Sequence, residues 1–176
     1  MARIRRQTGG FYYAKYQFKR SILENALQDD YTTDDYAEAL EFFGGCAFCG
    51  TPEAPRKDHL VAVFQCGDFI HQNVVPACQK CDDSKGKKEY HEWMRNSKSA
   101  KSLKRRGMTE AEIEKRIKLI ESWQAGYQCI GEEALFGNDY PEYIEILQKM
   151  DELCREAKVL ASKTKARHMR RSGNSS

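Results

Sequence analysis

The chain has 176 residues, of which 40% are hydrophobic and 31% charged, and its formal net charge is +3. This length accommodates one domain with a hydrophobic core, or a small core with helical additions, and the composition is that of an ordered polar protein. No apolar stretch approaches the ~20 residues of a membrane helix, and the start lacks the apolar core of a secretory signal, so we expect no membrane association and a cytoplasmic location.

Positive charge is concentrated in three segments without acidic residues, namely 1–20, 95–106 and 162–171. Separated basic segments suit a polyanion that contacts the protein at several places. For any one segment, a solvated basic surface is an equally good interpretation.

Four regions follow in chain order. Residues 1–44 are predicted to be basic and then helical: Thr32 or Thr33 can cap the helix DDYAEALEFF, and Gly44 and Gly45 can end it. Residues 45–96 contain cysteine, glycine and proline around short apolar segments, and KDHLVAVF predicts a strand. A helical stretch from Cys78 onward is expected to break near Gly86. Residues 97–108 are predicted to form a basic linker.

The fourth region, 109–176, is predicted to be helical with a basic tail. Thr109 and Glu112 have the spacing of a capping box, and Ile113, Ile117 and Ile120 share one helix face. The last helix is expected to begin near residues 139–141. Its apolar stripe favours core packing, and a homodimer through this helix is the alternative; the stripe consists of Tyr143, Leu147, Met150, Cys154, Ala157 and Ala161.

Two cysteine pairs point to a metal. Cys46 and Cys49 form CAFC, and Cys78 and Cys81 form CQKC. Two such pairs in a reducing compartment favour a structural Zn²⁺ site with four thiolate ligands. An iron–sulfur cluster fits the spacing as well, whereas a redox pair is disfavoured because no thioredoxin-like pattern surrounds it.

A second group of residues lies between and after these pairs: Asp58-His59 in DHLVAV, Asn73 in GDFIHQNVVP, and Lys85 after the second pair. Over residues 46 to about 95, this pattern resembles the HNH endonuclease family, the ββα-metal nucleases, in its zinc-stapled form. The resemblance implies an α+β fold with a small ββα-metal core flanked by N- and C-terminal helices. It also implies metal-dependent cleavage of DNA phosphodiester bonds that leaves 5′-phosphate and 3′-hydroxyl ends.

The residue types fit this chemistry. Asp58 and Asp82 can supply the oxygen ligands that Mg²⁺ or Mn²⁺ prefers, and His59 can act as the base that deprotonates water. Asn73 would orient the loop after His59, as the resemblance implies. Asp82 stands where the family most often has His or Asn; Asp83 is an alternative ligand, and Asp82 could instead cap a helix.

Several residues are expected to contact the phosphates of double-stranded DNA, and these are Lys85, Lys87, Lys88, Arg105 and Arg106. His71 is expected to lie in the turn before Asn73 or to touch phosphate. The rival hypothesis is a non-catalytic zinc-stapled module that binds DNA or RNA. A third is a structural protein whose final helix is an interaction surface.

Overall fold

A computed structural model describes residues 10–96 and 102–173, with side chains placed through residue 169. The elements are α1 Gly10–Ala26, α2 Thr33–Phe43, β1 Arg56–His59, β2 Val74–Ala77, α3 Gln79–Lys85, α4 Tyr90–Arg95, α5 Glu110–Trp123, α6 Glu132–Phe136 and α7 Tyr140–Gly173. Helices with one small antiparallel sheet and a four-cysteine cluster are compatible with the predicted α+β fold. None of the helices in the described part is both long and apolar enough to cross a membrane.

The described residues divide into two compact units. One is formed by residues within 23–135, and the other by residues within 1–22 and 136–176. The cysteine-containing segment therefore shares a unit with α2 and α5, which the sequence analysis assigned to separate regions. Of the predicted linker 97–108, residues 97–101 lie outside the described part, and Leu103 is fully buried in the core.

The unit within 23–135 is built around the two-stranded sheet. β1 and β2 are antiparallel, with Arg56 opposite Ala77 and His59 opposite Val74. Both α2 and α3 contact the sheet. The isoleucines that the sequence placed on one face of α5 are buried in the same core as Val75. The sheet and the cysteine cluster consequently rest on one continuous apolar core.

Most helix ends agree with the sequence predictions. Thr32 caps α2 in a capping box with Asp35, and Gly44 ends this helix in the left-handed region at φ 62°. Thr109 and Glu112 form the predicted capping box of α5. Gly86, at φ 52°, separates α3 from α4.

The strand prediction for KDHLVAVF was wrong in its second half. β1 ends at His59, and Val63–Gln65 form a short 3-10 helix instead. The backbone N–H of Leu60 donates to the Asn73 carbonyl at 2.8 Å, and beyond this point the chain turns away. Cys66 has φ 60°, a left-handed conformation that cannot continue a strand.

In the other unit, α7 lies beside α1. Lys15 forms an ion pair with Asp151 at 2.5 Å, and the Cys154 thiol lies 3.7 Å from the Phe11 carbonyl. Tyr143 is buried. The predicted stripe therefore begins in a buried position and continues along the side of α7 that meets α1, while the homodimer stays a prediction.

Candidate functional site

The four cysteines come together as the sequence predicted. Cys46 and Cys49 lie in the turn after α2, Cys78 is the N-cap of α3, and Cys81 lies in that helix. Their sulfur atoms all lie within 4.8 Å of one another, and those of Cys49 and Cys78 are 3.7 Å apart. This arrangement is compatible with a structural zinc site.

The close packing of the thiols lowers the pKa of one cysteine and raises the pKa of another. Hydrogen bonding with the Cys46 thiol lowers the pKa of Cys49 and raises the pKa of Cys81. The physical cause is that four sulfurs this close share protons, because four bare thiolates would repel one another. A divalent cation removes this conflict by replacing the protons.

Two arginines donate hydrogen bonds to the cysteine cluster and to the backbone around it. Arg106 donates to Cys81 Sγ at 3.0 Å. Arg116 of α5 donates to the carbonyl oxygens of Phe43 at 3.1 Å and Ala47 at 2.8 Å, and also to that of Cys46. The guanidinium of Arg116 therefore joins α5 to the chain around the first cysteine pair. Arg116 was not predicted to have this role, because no local sequence motif marks it.

Asp58 occupies a buried position on β1, with 8% of its surface exposed. Its Oδ1 accepts a hydrogen bond from Lys85 Nζ at 3.2 Å. Its Oδ2 is buried and has no hydrogen-bond partner among the residues described. Burial raises the pKa of Asp58 to about 6, even though the positive charge of Lys85 lowers it, and the negative charge of Asp82 contributes to the rise.

Lys85 lies inside the protein rather than on its surface. The residue is 1% exposed, and its Nζ also donates to the His59 carbonyl at 2.5 Å. Lys85 was predicted to contact phosphates, whereas in the structure it is an internal partner of Asp58. The burial of Lys85 could not be predicted, because nothing in the sequence around a helical lysine distinguishes a buried one from an exposed one.

Asp82, the second expected ligand, pairs with an arginine of β1. Arg56 lies 2.6 Å from Asp82 Oδ2 and 2.9 Å from Asp83 Oδ1 through the same nitrogen. Asp82 does not cap α3, because the N-cap of this helix is Cys78. Arg56 thus pairs with both aspartates that were predicted as ligands, with one positive charge against two negative charges. Arg56 was not identified from the sequence.

Asn73 is fully buried and bridges the hairpin. Its Oδ1 accepts from the Val61 N–H at 2.8 Å, while its Nδ2 donates to the carbonyls of Val61 at 3.1 Å and Asp68 at 2.8 Å. Gly67 lies against this amide, and a Cβ atom there would be 1.8 Å from the Val61 oxygen. The backbone at Val61, just after His59, is therefore fixed by the Asn73 amide and by close packing against Gly67.

His59 itself is partly exposed at the end of β1, and its ring centroid lies 5.2 Å from that of Phe69. Asp58 and His59 are adjacent on the strand, so their side chains leave it on opposite faces. In the described part of the chain, groups of three or more ligating residues whose ligand atoms all lie within 4.8 Å of one another occur twice, as the four cysteines and as Asp35, Glu38 and His71. Asp58, His59 and Asp82 do not form such a set.

The remaining basic candidates lie around α3. Lys87, Lys88 and Arg105 are exposed, and the Lys88 ammonium donates to the Ser84 carbonyl at 2.6 Å. Arg105 follows Lys104 in a short 3-10 helix whose next residue, Arg106, faces Cys81. Three of the five predicted phosphate contacts are therefore on the surface.

The site thus combines a cysteine cluster, a buried carboxylate with one oxygen lacking a hydrogen bond, and a buried amide that holds the hairpin. The HNH resemblance depends on the two cysteine pairs together with Asp58, His59, Asn73 and Lys85. No family model, curated protein or solved structure matches the chain.

Proposed function

We propose that this protein is a metal-dependent DNA endonuclease of the HNH type, stapled by zinc at its four cysteines. The observation that carries the proposal is the Asp58 carboxylate, whose Oδ2 is buried without a hydrogen-bond partner within the described residues. A buried carboxylate oxygen is costly unless something binds it, and a hard divalent cation is a suitable partner. Asp58 therefore suits Mg²⁺ or Mn²⁺ as a ligand, although it forms no group of three close ligand atoms with His59 and Asp82 in this structure.

In this proposal each residue has a defined task. Asp58 and Asp82 hold the divalent ion, which when bound neutralises phosphate charge and stabilises the leaving oxygen. His59 accepts the proton of the attacking water. Asn73 keeps the segment after His59 in place through its bonds to Val61 and Asp68.

Substrate binding would use the exposed cations near α3. Lys87, Lys88 and Arg105 are positioned on the surface for phosphate contacts, which give affinity without sequence specificity. Double-stranded DNA is the proposed partner. Arg56 engages Asp82 through Oδ2 at 2.6 Å, so Asp82 would bind the ion either through Oδ1 or after this pair opens.

The test is incubation of zinc-loaded protein with supercoiled plasmid and Mg²⁺ or Mn²⁺, followed by sequencing of product ends. We expect cleavage with 5′-phosphate ends in the wild type and its loss in His59→Ala and Asp58→Asn. His91→Ala is the matched control, since this histidine lies on α4 between Glu89 and Glu121. Wild-type cleavage that survives both site substitutions would contradict the proposal.

One observation favours a second candidate, a non-catalytic zinc-stapled module that binds DNA or RNA. The two expected ligands already have cationic partners, Lys85 for Asp58 and Arg56 for Asp82. For this candidate, the expected result is nucleic-acid binding without added Mg²⁺ or Mn²⁺, no cleavage, and unchanged affinity in His59→Ala. Gel-shift measurements on the same variants distinguish the two.

A further inference from the structure

A second cluster of metal-ligating side chains lies outside the proposed nuclease site. Asp35 and Glu38 are three residues apart on α2 and therefore share a face, and His71 approaches them from the segment before Asn73. One ligand atom of each lies within 4.8 Å of those of the other two. All three residues belong to the same compact unit.

His71 and Glu38 lie within ion-pair distance of each other, but without the alignment of a hydrogen bond. His71 Nε2 lies 3.3 Å from Glu38 Oε2, yet it is buried and makes no hydrogen bond within the described residues. Two ligands of one tetrahedral zinc ion, each about 2.0–2.2 Å from it, are about 3.3 Å apart. This nitrogen is shielded from solvent and lies beside a carboxylate oxygen, while the His71 side chain as a whole is 30% exposed.

Neighbouring residues hold two of the three side chains in place. The His71 ring lies against Trp123 with centroids 4.1 Å apart, and Trp123 Nε1 donates to the His71 carbonyl at 2.9 Å. Asp35 Oδ2 accepts from the N–H and the hydroxyl of Thr32, both at 2.7 Å. Glu38 is 66% exposed at its side chain and can adjust its position. Little ordering is therefore needed when an ion binds.

We propose that Asp35, Glu38 and His71 form a second metal site, which binds a divalent transition-metal ion of the Zn²⁺ class with water in the remaining position. One imidazole and two carboxylates suit such an ion better than Mg²⁺, which prefers oxygen ligands throughout. The bound ion links α2 to the segment that leads into Asn73. This inference is independent of the proposed nuclease activity, because it uses none of the residues assigned to it.

The experiment is isothermal titration calorimetry with Zn²⁺ on untagged protein whose four cysteines are already zinc-loaded. We expect one further equivalent to bind in the wild type, with Mg²⁺ failing to displace it. His71→Ala should weaken this binding by at least about 10-fold, the lower end of what changes around metal sites cause. Glu38→Gln serves as the second variant, because it alters an exposed side chain and leaves the packing on Trp123 intact; it too should bind more weakly.

Two controls separate this site from the others. Glu41→Gln changes an exposed carboxylate on the same helix and should bind the second equivalent like the wild type. Asp58→Asn, in the proposed nuclease site, should do the same. The inference is overturned if the wild type binds no second equivalent, or if Glu38→Gln and His71→Ala bind it with unchanged affinity.

Discussion

The ammonium group of Lys85 lies 3.2 Å from Asp58 Oδ1, and both residues are buried. α3 thereby places the Lys85 ammonium group against the Asp58 carboxylate of β1, which we propose as a ligand of the divalent ion. Lys85 also donates to the His59 carbonyl, so one side chain contacts both neighbours on the strand. Lys85 is therefore a buried partner of Asp58, and its ammonium group is not exposed at the surface in this structure.

Replacement of Lys85 by methionine should destabilise the protein by about 3–5 kcal/mol, because it leaves a buried carboxylate without its partner. Urea unfolding of the zinc-loaded protein measures this. Lys80→Met, an exposed lysine on the same helix, should change the free energy of unfolding little. The double variant Asp58→Asn, Lys85→Met should lose less than the sum of its single changes, and strict additivity would argue against the pair.

The carboxyl group of Asp58 should titrate with a midpoint of about 6, because burial raises its pKa from 3.8. Carbon NMR of the Asp58 side chain, without added Mg²⁺ or Mn²⁺, measures the midpoint. Since the folded-state pKa is the higher one, the contribution of Asp58 to stability falls as pH rises from about 4 to about 6 and is constant above. Removing the positive charge in Lys85→Met should raise the midpoint further, and a midpoint near 4 would contradict the burial of this carboxyl.

Asn73→Ala should cost about 2–4 kcal/mol, because the Val61 N–H and two carbonyl oxygens lose their partner inside the hairpin. Hydrogen exchange at the Val61 amide should accelerate together with the loss of stability. Gln72→Ala, at the exposed neighbouring position, is the control. If the Val61 amide stays protected in Asn73→Ala, the amide bridge is not what holds this loop.

Gly67→Ala should lower stability by about 1–3 kcal/mol, since the added methyl group overlaps the Val61 carbonyl and presses on Asn73 Nδ2. Thermal unfolding reports the change. Gly131→Ala is a matched control, because a Cβ there meets nothing within 4 Å. An unchanged melting temperature in Gly67→Ala would show that the loop does not approach this glycine closely.

Removal of zinc with a chelator should abolish cooperative unfolding of the unit within 23–135, because the cluster joins the turn after α2 to α3. Cobalt substitution should give the intense sulfur-to-metal absorption of thiolate ligands. Cys49→Ser should weaken cobalt binding by at least about 10-fold. Cys154→Ser lies in the other unit and should behave as the wild type, so an equal loss in both variants would rule out the four-cysteine site.

The sequence by itself determined the features that depend on near neighbours. The cysteine pairs, the capping boxes at Thr32 and Thr109, and the break at Gly86 are decided within a few residues, so their patterns were sufficient. The position of Asn73 just before β2 was also predictable from the sequence, and the structure shows its amide bonded across the hairpin to Val61 and Asp68.

Only the tertiary structure determined which charged side chains form ion pairs. Lys85 and Asp58 are 27 residues apart, and Arg56 and Asp82 are 26 apart, so their pairing depends on how α3 lies against β1. The same holds for His71, which meets the acids of α2 because the hairpin returns to that helix. A sequence pattern records residue types and spacing, whereas burial and long-range pairing arise when the whole unit packs around one core.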